Sequence, residues 1–283
     1  MPTLTYQQVD VFSSTPLKGN PLAVVVGADG LSDERMAAFA RWTNLSETTF
    51  LLRPTSPEAD YRVRIFTPAR ELPFAGHPTL GSCHVWLSVG GVPRGGGDTV
   101  VQECGVGLVP VRRDGDGGLA FRAPPLLRGG PVEADLLARI ADGLGLAPGR
   151  IVASQWVDNG PGWVAVMLGG RSEVLALRPQ PGALSDLALG VVGPWDRATD
   201  GDEAAFEVRA FVPRAGVAED PVTGSLNAGL GQWLIGSGLA PPSYVASQGT
   251  ALGRAGRVSV RQVGDDIWVG GATVTCIAGT VTL

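Results

Sequence analysis

Glu71-Leu72-Pro73-Phe74-Ala75-Gly76-His77 returns 148 residues later as Glu219-Asp220-Pro221-Val222-Thr223-Gly224-Ser225. Both stretches read Glu-x-Pro-x-x-Gly. The same offset carries Val9-Asp10 onto Val157-Asp158. Upstream, Phe66-Thr67-Pro68 is answered by Phe211-Val212-Pro213; downstream, Trp86-Leu87 is answered by Trp233-Leu234. One shared dipeptide is chance, but four features in one order mark an internal repeat. The chain reads as two half-length domains with a common fold.

The flanks of the repeat carry the local structure. Tyr61-Arg62-Val63-Arg64-Ile65-Phe66 and Phe206-Glu207-Val208-Arg209-Ala210-Phe211 alternate with period two, the pattern of a half-buried strand. Each leads through a loop into the Pro-x-x-Gly turn. A nearly uncharged stretch follows, Thr79 to Val89 in one half and Leu226 to Ile235 in the other. A helix that is apolar all round is a buried one. Each half is therefore expected to wrap a bent sheet around a central helix. Asp33 to Trp42 reads as an amphipathic helix with Ser32 as N-cap, and Val132 to Leu144 as another.

Strand candidates in the first half are Leu4–Phe12, Leu22–Val26, Thr48–Leu52, Thr99–Glu103, Val106–Arg112 and Leu119–Ala123. Later ones are Arg150–Val157, Trp163–Leu168, Tyr244–Ser247, Arg257–Gln262, Asp266–Val269 and Thr273–Cys276. Regular signals stop at Pro124-Pro125. The expected domains are 1–127 and 128–271, with 272–283 as a candidate return to the first half.

Composition removes several classes. The net charge of −5 gives no basic surplus for nucleic acid. No apolar run reaches the ~18 residues of a membrane span. Met1 to Asp10 shows no secretory pattern, and Cys83, Cys104 and Cys276 are too few and too odd for a disulfide framework. The cytoplasm is the expected compartment. Two His on one segment and three scattered Cys give no metal-ligand spacing, so no metal is expected. Neither a dinucleotide-binding glycine pattern nor a P-loop is present.

The chemistry is sought at the two Gly turns. The first amides of a helix lack internal partners, and the helix dipole adds positive character. Gly76 and Gly224 let a ligand approach the backbone there. If the halves face each other, two such ends would hold a carboxylate and stabilise negative charge developing beside it. A turn that merely precedes a helix is the alternative. Glu47, at the start of a strand candidate among uncharged neighbours, is a candidate acid/base; an exposed surface Glu is its alternative. Asp220 stands where the first half has Leu72, either diverged for function or complementing the helix dipole. His77 would contact a substrate, shuttle a proton or cap its helix, and Ser225 would contact a ligand or cap. His84 reads as structural. Gln248 to Arg254 reads as a plain strand-linking loop.

Asp10-Val11-Phe12, Gly19-Asn20-Pro21, Asn44-Leu45-Ser46-Glu47-Thr48-Thr49-Phe50 and both halves of the repeat resemble the signatures of the PhzF (phenazine-biosynthesis-like) family. They run in order along nearly the whole chain. The resemblance implies a diaminopimelate-epimerase-like α+β fold. That fold has two pseudo-symmetric domains, each a rolled, mostly antiparallel sheet around a central helix. It implies a homodimer without cofactor and a small carboxylate substrate. By the family's pattern Glu47 is the acid/base, and His77, Asp220 and Ser225 hold substrate with the amides of Gly76 and Gly224. The activity implied is a cofactor-independent proton shift, similar to trans-2,3-dihydro-3-hydroxyanthranilate isomerase. An amino- or hydroxy-acid epimerase and a non-catalytic carboxylate-binding protein are the alternatives. One departure is Ala255-Gly256 after Arg254, where the family often has Pro. Fold relatives that work with paired thiols carry a Cys at each Gly turn, and neither turn has one here.

Overall fold

A computed structural model describes residues 1–113, 118–180, 182–213 and 217–283. They form two compact units, Met1–Arg122 with Gly270–Leu283, and Ala123–Val269. No helix among the described residues is long and apolar enough to cross a membrane.

The first unit runs β1 (Thr3–Val11), β2 (Asn20–Val26), α1 (Asp33–Thr43), β3 (Thr48–Leu52), β4 (Tyr61–Phe66), β5 (Glu71–Leu72), α2 (Gly76–Ser88), β6 (Thr99–Cys104), β7 (Gly107–Arg113) and β8 (Leu119–Arg122). In the second unit come α3 (Ala134–Leu144), β9 (Ala153–Trp156), β10 (Trp163–Met167), α4 (Arg171–Ala176), β11 (Ala188–Pro194), α5 (Arg197–Asp200), β12 (Phe206–Val212), β13 (Val217–Asp220), α6 (Gly224–Gly236), β14 (Ser243–Gln248), β15 (Gly256–Val263) and β16 (Asp266–Gly271), the last two residues of β16 belonging to the first unit. Finally β17 (Thr273–Thr282) returns to the first unit and pairs antiparallel with β1 along its length.

Both units use one strand grammar. β1 is antiparallel to β2, β2 parallel to β3 and β3 antiparallel to β4; β4 is antiparallel to β5 and parallel to β6. β9 through β14 repeat the scheme step for step. The repeat in sequence is thus a repeat in topology.

Each central helix is held close by a glycine in its middle. A Cβ on Gly81 of α2 would sit 2.5 Å from Leu22 Cδ2 and 3.0 Å from Val11 Cγ2. The repeat offset carries Gly81 onto Gly229 of α6, where a Cβ would sit 2.4 Å from the backbone oxygen of Val157. The side chain of Val9 lies by Gly81 and that of Val157 by Gly229, so the matching Val-Asp strand ends cross their helices at the same point. Strands of the first unit touch α2 from every side, and its residues Gly76 to Cys83 are buried. The outer faces carry separate cores. α1 lays Met36, Phe39 and Ala40 on Phe50 and Phe66; α3 brings Ile140 and Leu144 to Val164, Val166 and Leu189. The side chain of Ser32 accepts from Arg35 N at 3.3 Å, capping α1 as expected, and α1 stops at Asn44 in the left-handed region.

Among the differences from the sequence reading, four bear on the frame of the two units. Both central helices begin at the glycine of the turn, ahead of the expected Thr79 and Leu226. The units divide at Arg122/Ala123, just before Pro124-Pro125. β17 runs well past Cys276; its exposed residues give it no apolar periodicity, and its pairing is backbone-driven. β11 has no counterpart among the strand candidates. It is apolar on both faces, so it shows no alternation, and its glycines look like breakers. In the fold they are required, since a Cβ on Gly190 would meet Leu226 of α6 at 2.4 Å and one on Gly193 would meet Val174 of α4 at 2.7 Å.

The two mid-helix glycines predict unequal costs. Gly229→Ala confronts a backbone carbonyl and should destabilise by about 1–3 kcal/mol, while Gly81→Ala confronts side chains that can yield and should cost less. Urea unfolding of both variants checks the order; equal midpoints would contradict it.

Candidate active site

In the first unit the site grows from the end of β1. Asp10 is buried, and its Oδ2 accepts from Gly19 N at 3.2 Å. That bond folds Gly19-Asn20-Pro21 back onto the strand, so closely that a Cβ on Gly19 would lie 2.3 Å from Val11 O. Asn20 is thereby fully buried beside α2, its Nδ2 3.5 Å from His77 Nδ1. On the other side, the α1–β3 turn is braced by Thr43 Oγ1 and Thr48 Oγ1 at 2.9 Å. Glu47 therefore projects from the head of β3. Its side chain is only 16% exposed, and its Oε2 lies 3.5 Å from His77 Nε2.

His77 is buried, and burial pushes its pKa down to about 3. Its contact with Glu47 is accordingly not an ion pair at neutral pH. The Asn20 amide facing Nδ1 favours the tautomer with hydrogen on Nε2, the ring nitrogen 3.5 Å from Glu47 Oε2. Both contacts are long for hydrogen bonds, so they orient the ring without gripping it. His84, by contrast, links Thr275 Oγ1 at 3.0 Å and is a structural tie between α2 and β17.

In the second unit, Asp220 ends β13 and Gly224 begins α6. Thr223, at the N-cap position, does not cap. Its hydroxyl instead donates to Asp220 Oδ2 at 2.6 Å. Ser225 Oγ accepts from Trp163 Nε1 at 3.0 Å, and Ser225 O accepts from Asn159 Nδ2 at 2.8 Å. Neither α2 nor α6 has a side-chain cap, so their first-turn amides are not taken up by a capping side chain.

The structure thus groups Glu47, Gly76 and His77 in the first unit, and Asp220, Gly224 and Ser225 in the second. Sequence reasoning missed Asn20, Thr223, Trp163 and Gln248 as neighbours of these residues. The Gln248–Arg254 loop is not a plain link. Gln248 bonds the Asp220 turn, and a Cβ on Gly249 (φ +90°) would lie 2.7 Å from Pro221 O. The repeat's Glu was also unread. Arg64 forks onto Glu71 with two bonds of 2.7 Å, and Arg209 forks onto Glu219 at 2.9 and 2.7 Å. An Arg on the preceding strand in both halves was the available signal. A groove of about 440 Å³ lies beside Arg64, Glu71 and Pro73, but neither Glu47 nor His77 lines it.

Cys83 lies within α2, and Cys104 lines the groove beside Pro73. Burial pushes the Cys83 thiol up to about 12, and it raises that of Cys104.

The structure superposes on a PhzF-family protein of Enterococcus faecalis with a TM-score of 0.82, at 25% identity over all of both chains. It also superposes on a probable proline racemase of Agrobacterium radiobacter with a TM-score of 0.61, at 14% identity over 99% of this chain and 93% of that one. With the repeated strand grammar, this defines a diaminopimelate-epimerase-like α+β protein of two pseudo-symmetric halves. The family model described as phenazine biosynthesis-like protein matches residues 9–279. The chain is 37% identical to the trans-2,3-dihydro-3-hydroxyanthranilate isomerase of Pseudomonas aeruginosa, over 92% of this chain and 90% of that one. It belongs to the phenazine biosynthesis-like (PhzF) family.

The state of His77 has a measurable consequence. Unfolded, an imidazole titrates near 6.5; folded, His77 does so at about 3. Between those values the unfolded chain binds more protons, so stability falls as pH drops, by up to about 1.4 kcal/mol per pH unit from this group. The His77 ring should show no NMR titration between pH 5 and 8, and His77→Asn should flatten the acid limb of the stability curve. A ring titrating near 6.5 would contradict the buried neutral state.

Proposed function

We propose that this protein is a cofactor-independent isomerase that moves a proton on a small cyclic or unsaturated carboxylate substrate, with Glu47 as the acid/base. The observation that carries the reading is the Glu47 side chain, mostly withdrawn from water and 3.5 Å from a buried, neutral His77. The curated relative named as an isomerase supports the reaction class.

In this reading the Glu47 carboxylate takes a proton from a carbon of the substrate. The electron pair left behind spreads into the adjacent unsaturation. Glu47 then returns the proton to a different carbon, and atoms and charge balance within one isomerisation. His77 presents an N–H and steadies the carboxyl group. In the first unit the first-turn amides at Gly76 suit negative charge that develops beside Glu47, and in the second those at Gly224 suit an anionic group. Asp220 repels a carboxylate, so it takes an amino or hydroxyl group of the substrate, and Ser225 adds a hydroxyl contact. The substrate therefore carries a donor as well as an anion. A homodimer is the expected assembly, as the family resemblance implies, and the cytoplasm the expected compartment.

The test is turnover of a substrate panel in deuterium oxide, followed by NMR, with trans-2,3-dihydro-3-hydroxyanthranilate included. Wild type should isomerise one member and place solvent deuterium on carbon. Glu47→Gln keeps the shape but cannot carry a proton, and should slow that step by roughly 10²–10⁴-fold. Near wild-type turnover by this variant would remove Glu47 from the mechanism.

A further inference from the structure

We infer that Gln248 is a positioning residue for Asp220, acting through the hydroxyl of Thr223. The functional meaning rests on the proposed role of Asp220; the network itself does not.

Gln248 is fully buried at the end of β14. Its Oε1 accepts from Thr223 N at 3.0 Å and from Asn227 Nδ2 at 2.9 Å. Its Nε2 donates to Thr223 Oγ1 at 2.9 Å and to Asp220 O at 3.2 Å. Every hydrogen-bonding position of the amide is used. Its orientation is forced, because a flipped amide would set NH₂ against the N–H of Thr223 and the NH₂ of Asn227. The consequence falls on Thr223. With one lone pair of its oxygen taken by Gln248, its hydrogen is directed to Asp220 Oδ2, 2.6 Å away. A donor held there favours the charged form of a carboxylate and fixes its rotation.

The sister half shows that the fold does not require this network. The repeat offset sets Leu72 opposite Asp220 and Ala75 opposite Thr223. Neither has a polar side chain, yet the same turn starts the same helix. Gln102, on the strand parallel to β4 as β14 is parallel to β12, turns elsewhere. It donates to Thr79 Oγ1 at 3.0 Å and accepts from Tyr61 OH at 2.9 Å. Thr79 corresponds to Asn227, so both glutamines grip the fourth residue of their helix. Only Gln248 also reaches the turn. That added reach accompanies the carboxylate of Asp220, and a merely architectural glutamine has no need of it.

Other charges near the turn are Glu219, paired with Arg209, and Arg254, whose stem lies against Gly249. They stay constant in the test. The carboxyl resonance of Asp220 is followed by ¹³C NMR against pH in the full chain, without substrate. Thr223→Val should raise its midpoint by about one pH unit, and Thr223→Ser should restore the wild-type value. Gln248→Met should raise it similarly, and the double variant Thr223→Val with Gln248→Met no further, because both act on one bond. A midpoint unmoved by Thr223→Val, unmoved by Gln248→Met, or shifted additively by the pair would overturn the inference. Should Gln248→Met not fold, the side-chain NH₂ resonances of Gln248 in Thr223→Val decide instead; they move if the link exists, and their constancy refutes it. Because no turnover is measured, a failure here is separate from a failure of Glu47.

Discussion

The close crossing of a strand end over the middle of each central helix is the constraint on which the structure depends. It is possible only because Gly81 and Gly229 carry no side chain at the contact. Adding a Cβ to either would push helix and strand apart, and the start of the helix would move with it. The amide ends of α2 and α6 are thus located by a close packing contact further along each helix. This couples packing to chemistry. Apart from Glu47, which stands at the head of β3, the residues that would act on a substrate sit within the first turn or just before it, and their position is inherited from the glycine contact.

Once duplicated, such a frame is free to diverge at its polar positions. Glu71 and Glu219 kept one task, each held by two bonds from an Arg on the neighbouring strand. The next position parted into Leu72 and Asp220, and the residue after the glycine into His77 and Ser225. The approach to β3 carries Glu47, while the approach to β11 carries the buried Leu187. One unit therefore holds the carboxylate-imidazole pair and the other the carboxylate-hydroxyl pair. Two such unlike sets suit a proton shift carried by Glu47, as proposed, better than an exchange between two equivalent bases.

The sequence disclosed the repeat because its markers are backbone-determined. Glycines and prolines at fixed spacing report turns regardless of what surrounds them. Glu47, His77 and Asp220 were legible as candidates for the same reason, since each flanks such a turn or a strand start. The unread parts depend on distant neighbours. β11 is buried on both faces, and its glycines answer helices far away in the chain. Gln248 meets the Asp220 turn only after β12 and β14 pair in parallel, which no local pattern announces. Asn20 was visible within a motif, but its contact with His77 exists only because Asp10 folds the loop back.

The burial of His77 also bears on how the proposed reaction would run. An imidazolium can only donate hydrogen bonds. A neutral imidazole with its hydrogen on Nε2 can face a carboxylate as a donor without adding a positive charge beside it. A proton carrier has to take up a proton in each turnover, and a cation beside it would hold it in the charged form more strongly than a neutral ring does. The ring is kept neutral by desolvation, the largest cause of its shift. That desolvation comes from the packing of α2 inside its sheet. The packing that locates the helix thereby also sets the charge state of the residue beside Glu47.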